Sequence, residues 1–139
     1  MTMDDIKRII IPIDNTEDSK KAVEKGAYLA KILGINAKII SVNDTHQFMS
    51  SVVLEEKLKK ETENILNEFK KIAENIGIQI ETELISGKPS EEIVKFARKG
   101  DLIIMAHHDR TKGIDKVMEK SLSKDVVENA PCSVFVVKS

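Results

Sequence analysis

The chain of 139 residues contains a single cysteine, Cys132. That excludes an internal disulfide and makes a reducing cytoplasm the natural compartment. No apolar run approaches the roughly 20 residues that a bilayer-spanning helix needs. Near the amino terminus, Lys7 and Arg8 precede only Ile9 to Ile13 before Asp14 intervenes. That stretch is too short for a secretory signal. Net charge is nearly absent: 22 basic residues against 23 acidic ones leave −1. Broad attraction to nucleic acid or to an anionic membrane is not expected from that balance. The six glycines form neither a Walker A loop nor a dinucleotide fingerprint. A nucleophile elbow and an obvious triad are also missing, so no catalytic residue is assigned. Repeats, low-complexity tracts and interdomain linkers are not evident.

What is present is a globular composition, with 41% apolar and 32% charged residues. One domain over residues 1–139 is expected, large enough to fold on its own core. Two periodicities alternate along the chain. Arg8 to Ile13, Ala37 to Val42, Ile78 to Ile85, Asp101 to Ala106 and Ser133 to Val137 read as five strands. The first, fourth and fifth are almost continuously apolar, as a sheet covered on both faces requires. The third alternates, which predicts an edge position.

Helical spacing fills the intervals at Ser19 to Leu33, Val52 to Ile76, Pro89 to Lys99 and Ile114 to Asn129. Gly34 and Gly77 are placed as stops, Pro89 lies in a first turn, and Pro131 prevents continuation of the last helix. The order βαβαβαβαβ favours parallel strands with right-handed crossovers. By analogy with doubly wound α/β folds, the expected solution is an open five-stranded parallel sheet. Its strand order is 3-2-1-4-5, with helices on both faces.

In that topology the chain reverses direction across the sheet between the first and fourth strands. The crevice at their carboxyl ends is the default ligand site. It brings Asp14 and Asn15 towards Met105, Ala106 and His107. The second strand adds Val42, Asn43 and Asp44, and the turn after the third adds Gly87 and Lys88. Asp14 can accept from an adenine amino group or a ribose hydroxyl. Equally, Asp14, Asn15 or Thr16 can cap the next helix. Val42 offers backbone and an apolar surface to a flat ring, or is simply a sheet residue. Gly87 permits a tight turn or a close approach.

The stretch Ala106 to Ser121 mixes Arg110, Lys112, Lys116 and Lys120 with Asp109, Asp115 and Glu119. Phosphate can bind at such a turn and helix start, where Ser121 adds a hydroxyl. A solvated helix surface has the same mixed charge. His107 and His108 are adjacent, yet no ligand spacing links them with Asp14 or Asp109, and no metal site is assigned. Cys132, at the entry to an apolar strand, reads as a small packed hydrophobe.

These segments together resemble the universal stress protein family over essentially the whole length. The opening IIIPIDNTEDSKKAVEKGAYLAK, the segment SVND at Ser41 to Asp44, the turn Gly87-Lys88-Pro89, MAHHDRTKG and SLSKDVVENAPCSVFVV carry the likeness. The resemblance implies a doubly wound fold, a homodimer through Ser133 to Val137, and a cytoplasmic stress-response or signalling role without catalysis. It maps adenine and ribose contacts onto Asp14, Val42 and Gly87, with His107 and Ser121 on the phosphate side. The ATP-binding branch carries the pattern G-x2-G-x9-G-[ST]. Here those glycines fall on Ala106, Asp109 and Lys120, with Ser121 retained and one extra residue in the spacing. An added Cβ, a strained turn and an aspartate facing phosphate all work against a triphosphate. The expectation is weak or absent binding of ATP with magnesium, with AMP or another adenine ligand still admitted. Alternatives are an adenine-nucleotide sensor with slow hydrolysis, and a dimeric adaptor that engages a protein partner and no small molecule.

Overall fold

The computed structural model describes residues 6–14, 16–44, 52–107 and 121–138. Five strands, β1 (Arg8–Ile13), β2 (Asn36–Asn43), β3 (Glu81–Ser86), β4 (Asp101–His107) and β5 (Ser133–Lys138), form one sheet in the order β3-β2-β1-β4-β5. Every pairing is parallel. Among the described residues, four helices connect them: α1 (Glu17–Leu33), α2 (Val52–Ile76), α3 (Pro89–Phe96) and α4 (Ser121–Asn129). The doubly wound α/β expectation and its strand order are therefore met.

The two-residue repeat of a strand divides the core. Ile9, Ile11, Ile39, Leu102 and Ile104 face α1 and α2 in one apolar cluster. Ile10, Ile40, Ile103 and Met105 face α3 and α4 in the other. β1 and β4, central and covered on both sides, are buried almost throughout. The expectation of two-sided cover fails for β5. At the sheet edge it alternates between exposed and half-buried residues as far as Val136, only Val137 is buried, and Phe135 is 49% exposed. β3 lies at the other edge, where its alternation placed it.

Thr16 caps α1, its hydroxyl accepting from the Ser19 N–H at 3.3 Å, so the helix begins two residues before Ser19. Gly34 ends it in the left-handed region, at φ 67°. β3 starts at Glu81, later than the apolar alternation. The Ile78 N–H donates to the Ala73 carbonyl and completes the end of α2. Pairing with β2 begins at Lys38–Glu81. α3 stops at Phe96, short of Lys99, because a local turn and the packing of Ala97 take the backbone. Ala97 turns extended and packs into the second cluster, and the Arg98 N–H donates to Asp101 Oδ2 at 2.8 Å. The predicted start of the last helix, 114–120, lies outside the described residues.

α2 has 25 residues, about 37 Å at 1.5 Å per residue. Its buried side chains are Thr62, Leu66, Phe69 and Ala73. Val52 to Lys57 are all exposed. No helix among the described residues is long and apolar enough to cross a membrane.

Candidate functional site

β1 and β4 pair at Arg8–Asp101, Ile9–Leu102 and Ile10–Ile103. Beyond Ile10 the ladder between them is not continued, although both strands run on to Ile13 and His107. β1 keeps its partner on the other side through Ile13–Ser41, and β2 keeps β3 through Asn43–Ser86. The β1–β4 pairing thus ends before the carboxyl edge of the sheet, where the connections diverge.

Asp14, Val42 and Gly87 line up along that edge on three neighbouring strands. Asp14 follows Ile13, which pairs with Ser41, and Val42 is the next residue of β2. Gly87 follows Ser86, which pairs with Asn43. His107 ends β4, half-buried and opposite Lys138. Ser121 begins α4. His108, Asp109, Arg110, Lys112, Lys116, Lys120 and Asn15 lie outside the described residues. So does the rest of the phosphate segment beyond Ala106 and His107.

Local bonding explains part of what these residues do. Asp14 Oδ1 accepts from the Thr16 hydroxyl at 2.5 Å and from the Ser19 hydroxyl at 2.6 Å. The Asp14 N–H donates to Ser19 Oγ at 2.9 Å. Asp14 therefore belongs to the network at the start of α1, while Thr16 is the cap itself. Val42 is half-buried and packs against the cluster under α3 and α4. Gly87 has φ 145°, and its N–H donates to the Asn43 carbonyl at 2.9 Å. A Cβ built there meets Glu92 Cγ at 2.7 Å. The glycine is thus required by the positive φ of the turn, without reference to a ligand.

Thr62 is absent from the expectations drawn from sequence, Ser19 enters them only as a helix start and Asn43 only as a residue at a strand end. Ser19 is buried, at 2% exposure. The signal for it was a hydroxyl five residues after Asp14 and three after the cap. The Thr62 hydroxyl is shared between the Leu58 carbonyl at 2.9 Å and Asn43 Oδ1 at 3.1 Å. A buried threonine among the apolar positions of α2 was the available sign.

A groove of about 270 Å³ lies between the first turn of α1 and the middle of α2. Ile65, Phe69 and Ile72 line it with Thr16, Glu17, Lys20 and Glu68. It contains none of the predicted contact residues. Two carboxylates against one ammonium do not favour an anion. Among the described residues, no three histidine, cysteine, aspartate or glutamate side chains come together to hold a metal ion.

At the opposite edge, Arg8 and Asp101 form an ion pair at 2.7 Å. Arg8 lies over the Phe96 ring at 5.0 Å, and Lys38 lies over the same ring at 5.4 Å. The hydrogen bond to Asp101 holds the Arg8 pKa above its ordinary value. Burial, then the negative charge of Asp101, push the Cys132 thiol up.

The model of the universal stress protein family matches residues 5–138. A universal stress protein of Methanocaldococcus jannaschii is 36% identical over 140 residues, spanning 95% of this chain and 82% of the relative. The solved structure of a universal stress protein in complex with cAMP superposes with a TM-score of 0.77 at 20% identity, covering 96% of this chain and 97% of that one. A universal stress protein from Archaeoglobus fulgidus in complex with dAMP superposes at 0.73 with 17% identity, covering 96% and 98%.

Proposed function

The chain belongs to the universal stress protein family, and from that premise we propose that it is a non-catalytic cytoplasmic signalling module whose ligand is an adenine mononucleotide. The observation that carries this reading is the alignment of Asp14, Val42 and Gly87 across three strand ends, on the carboxyl side of the point where the β1–β4 pairing ends. In this reading Asp14 accepts from the base or ribose, Val42 lies against the ring, and Gly87 shapes the turn beside the sugar. His107 and Ser121 flank the phosphate.

A single phosphate suits this chain better than three. Ala106, Asp109 and Lys120 replace the family's phosphate-loop glycines. Asp109 repels a triphosphate that brings no cation with it. Fold relatives in complex with cAMP and dAMP give the same ligand class a precedent. Magnesium has no role in this proposal.

The module acts as a homodimer through β5. Val134, Phe135 and Val136 on that edge strand are half-buried or exposed, and an apolar edge invites pairing across a two-fold axis.

Calorimetric titration with AMP, cAMP, dAMP and ATP with magnesium tests the ligand. One mononucleotide per chain, with ATP at least tenfold weaker, is the expected result. Tight stoichiometric ATP binding overturns the preference for one phosphate. No heat with any of the four supports instead the dimeric adaptor, which engages a protein partner.

A further inference from the structure

We propose that Ser19 is a positioning residue for base recognition, holding the Asp14 carboxylate so that it can read the exocyclic amino group of adenine. The inference rests on the adenine reading above and specifies how that site distinguishes one purine from another.

Asp14 is exposed at a strand end, where an aspartate side chain ordinarily samples several rotamers. Here two hydroxyls fix it. Ser19 donates to Oδ1 at 2.6 Å, and Thr16 donates to the same oxygen at 2.5 Å. Ser19 also accepts the Asp14 backbone N–H at 2.9 Å, so one buried hydroxyl holds both ends of the residue. The Ser19 backbone N–H in turn donates to Thr16 Oγ1 at 3.3 Å. The ring Asp14–Thr16–Ser19 ties the carboxylate to the first turn of a 17-residue helix.

Hydrogen bonds to a carboxylate are stronger than neutral ones and restrict its plane. A fixed acceptor favours a ligand that presents an N–H donor and disfavours one that presents a carbonyl oxygen. Adenine has an amino group at the relevant carbon, whereas hypoxanthine has an oxygen. A freely rotating carboxylate pays ordering entropy on binding and discriminates less.

The experiment compares AMP with IMP by calorimetry on the whole protein and on Ser19→Ala, Ser19→Thr and Thr16→Val. The wild type is expected to prefer AMP. Ser19→Ala is expected to weaken AMP about tenfold and to bring the AMP-to-IMP affinity ratio towards one. Ser19→Thr keeps the hydroxyl and restores the ratio. Thr16→Val, altered at an exposed position, moves the ratio the same way by a smaller factor. It serves as the test if Ser19→Ala does not fold. Thermal melting separates lost stability from lost selectivity, since a merely structural role for Ser19 lowers the melting temperature and leaves the ratio intact. An unchanged ratio in Ser19→Ala, or in Thr16→Val where that variant stands in, overturns the positioning role while leaving the adenine reading standing. Equal wild-type affinity for AMP and IMP overturns the role of Asp14 as reader of the amino group, and Ser19's with it. A wild type that binds neither nucleotide overturns the ligand reading as well.

Discussion

Arg8 and Asp101 stand 93 residues apart and meet through two parallel hydrogen bonds, Nε to Oδ1 at 2.9 Å and Nη2 to Oδ2 at 2.7 Å. They are register partners where β1 and β4 first pair. The Asp101 side chain is 4% exposed and that of Arg8 19%. Losing one partner leaves the other's charge desolvated. Asp101→Asn is expected to cost about 2 kcal/mol, below the range for fully buried pairs because Arg8 retains some solvent. Urea denaturation measures it. AMP affinity is expected to stay unchanged, because the pair lies at the edge of the sheet opposite Asp14. A variant that loses binding while remaining folded contradicts that separation.

Gly26 lets α1 approach the sheet closely. A Cβ there meets Ile11 Cδ1 at 2.6 Å and Cγ1 at 3.0 Å, with Ile104 Cδ1 at 3.7 Å behind. Alanine improves helix propensity by about 1 kcal/mol. Overpacking into a buried isoleucine costs about 1–3 kcal/mol. Gly26→Ala is therefore expected to be net destabilising by about 1 kcal/mol. Ile11→Val removes the Cδ1 atom. The double variant is expected to be more stable than the sum of the two single changes predicts, and a denaturation cycle reads that coupling.

Phe135 supplies the test of the dimer. It stands on the same side of β5 as Val137, which joins the cluster under α1 and α2, yet remains half exposed. Light scattering is expected to give twice the chain mass of 15.6 kDa. Phe135→Lys places a charge in the proposed contact and is expected to yield the monomer. A wild-type monomer at micromolar concentration removes the dimer from the proposal.

The Cys132 thiol carries a pH signature. Burial first, and Asp101 second, raise its pKa in the folded chain. The folded state therefore holds the thiol proton more tightly than the unfolded state does. The associated stability is fully present below the unfolded thiol pKa of about 8.5 and is lost as pH rises through the folded value. Alkylation by iodoacetamide is expected to show a midpoint above that of the urea-unfolded chain. Asp101→Asn is expected to lower it. Equal midpoints in the folded and unfolded chains count against the shift.

Elements with one dominant local cause were legible in the sequence. Arg8 to Ile13 is a β-branched apolar run and forms β1 with those bounds. Val52 to Ile76 keeps its period for seven turns and forms α2 with those bounds. The errors fall where a side chain competes for the backbone. The Asp101 carboxylate takes the Arg98 N–H and helps to end α3 early; Asp101 is only two residues past Lys99, but the Arg8 side chain that pairs with it comes from 93 residues away. For the candidate site, Asp14, Val42 and Gly87 were legible as strand-end positions because topology fixes where strand ends lie. What holds Asp14 was not, since the side chain of Ser19 acts back across a turn whose geometry only the fold supplies. Gly87 shows the reverse. Its glycine was noticeable from the residue alone, and the nearest reason for it is the positive φ of the turn.

α2 is anchored unevenly. From Thr62 onward it has buried side chains, while Val52 and Val53 are 71% and 73% exposed. A ten-residue stretch of helix that relies chiefly on its own propensity is marginal in water. Amide protons along this one helix will therefore exchange on two timescales, quickly ahead of Thr62 and slowly behind it. Because Thr62 also touches Asn43, the boundary between the two regimes falls at the level of the strand ends. The helix is a graded element, solid where it covers the sheet and progressively looser where it rises past it.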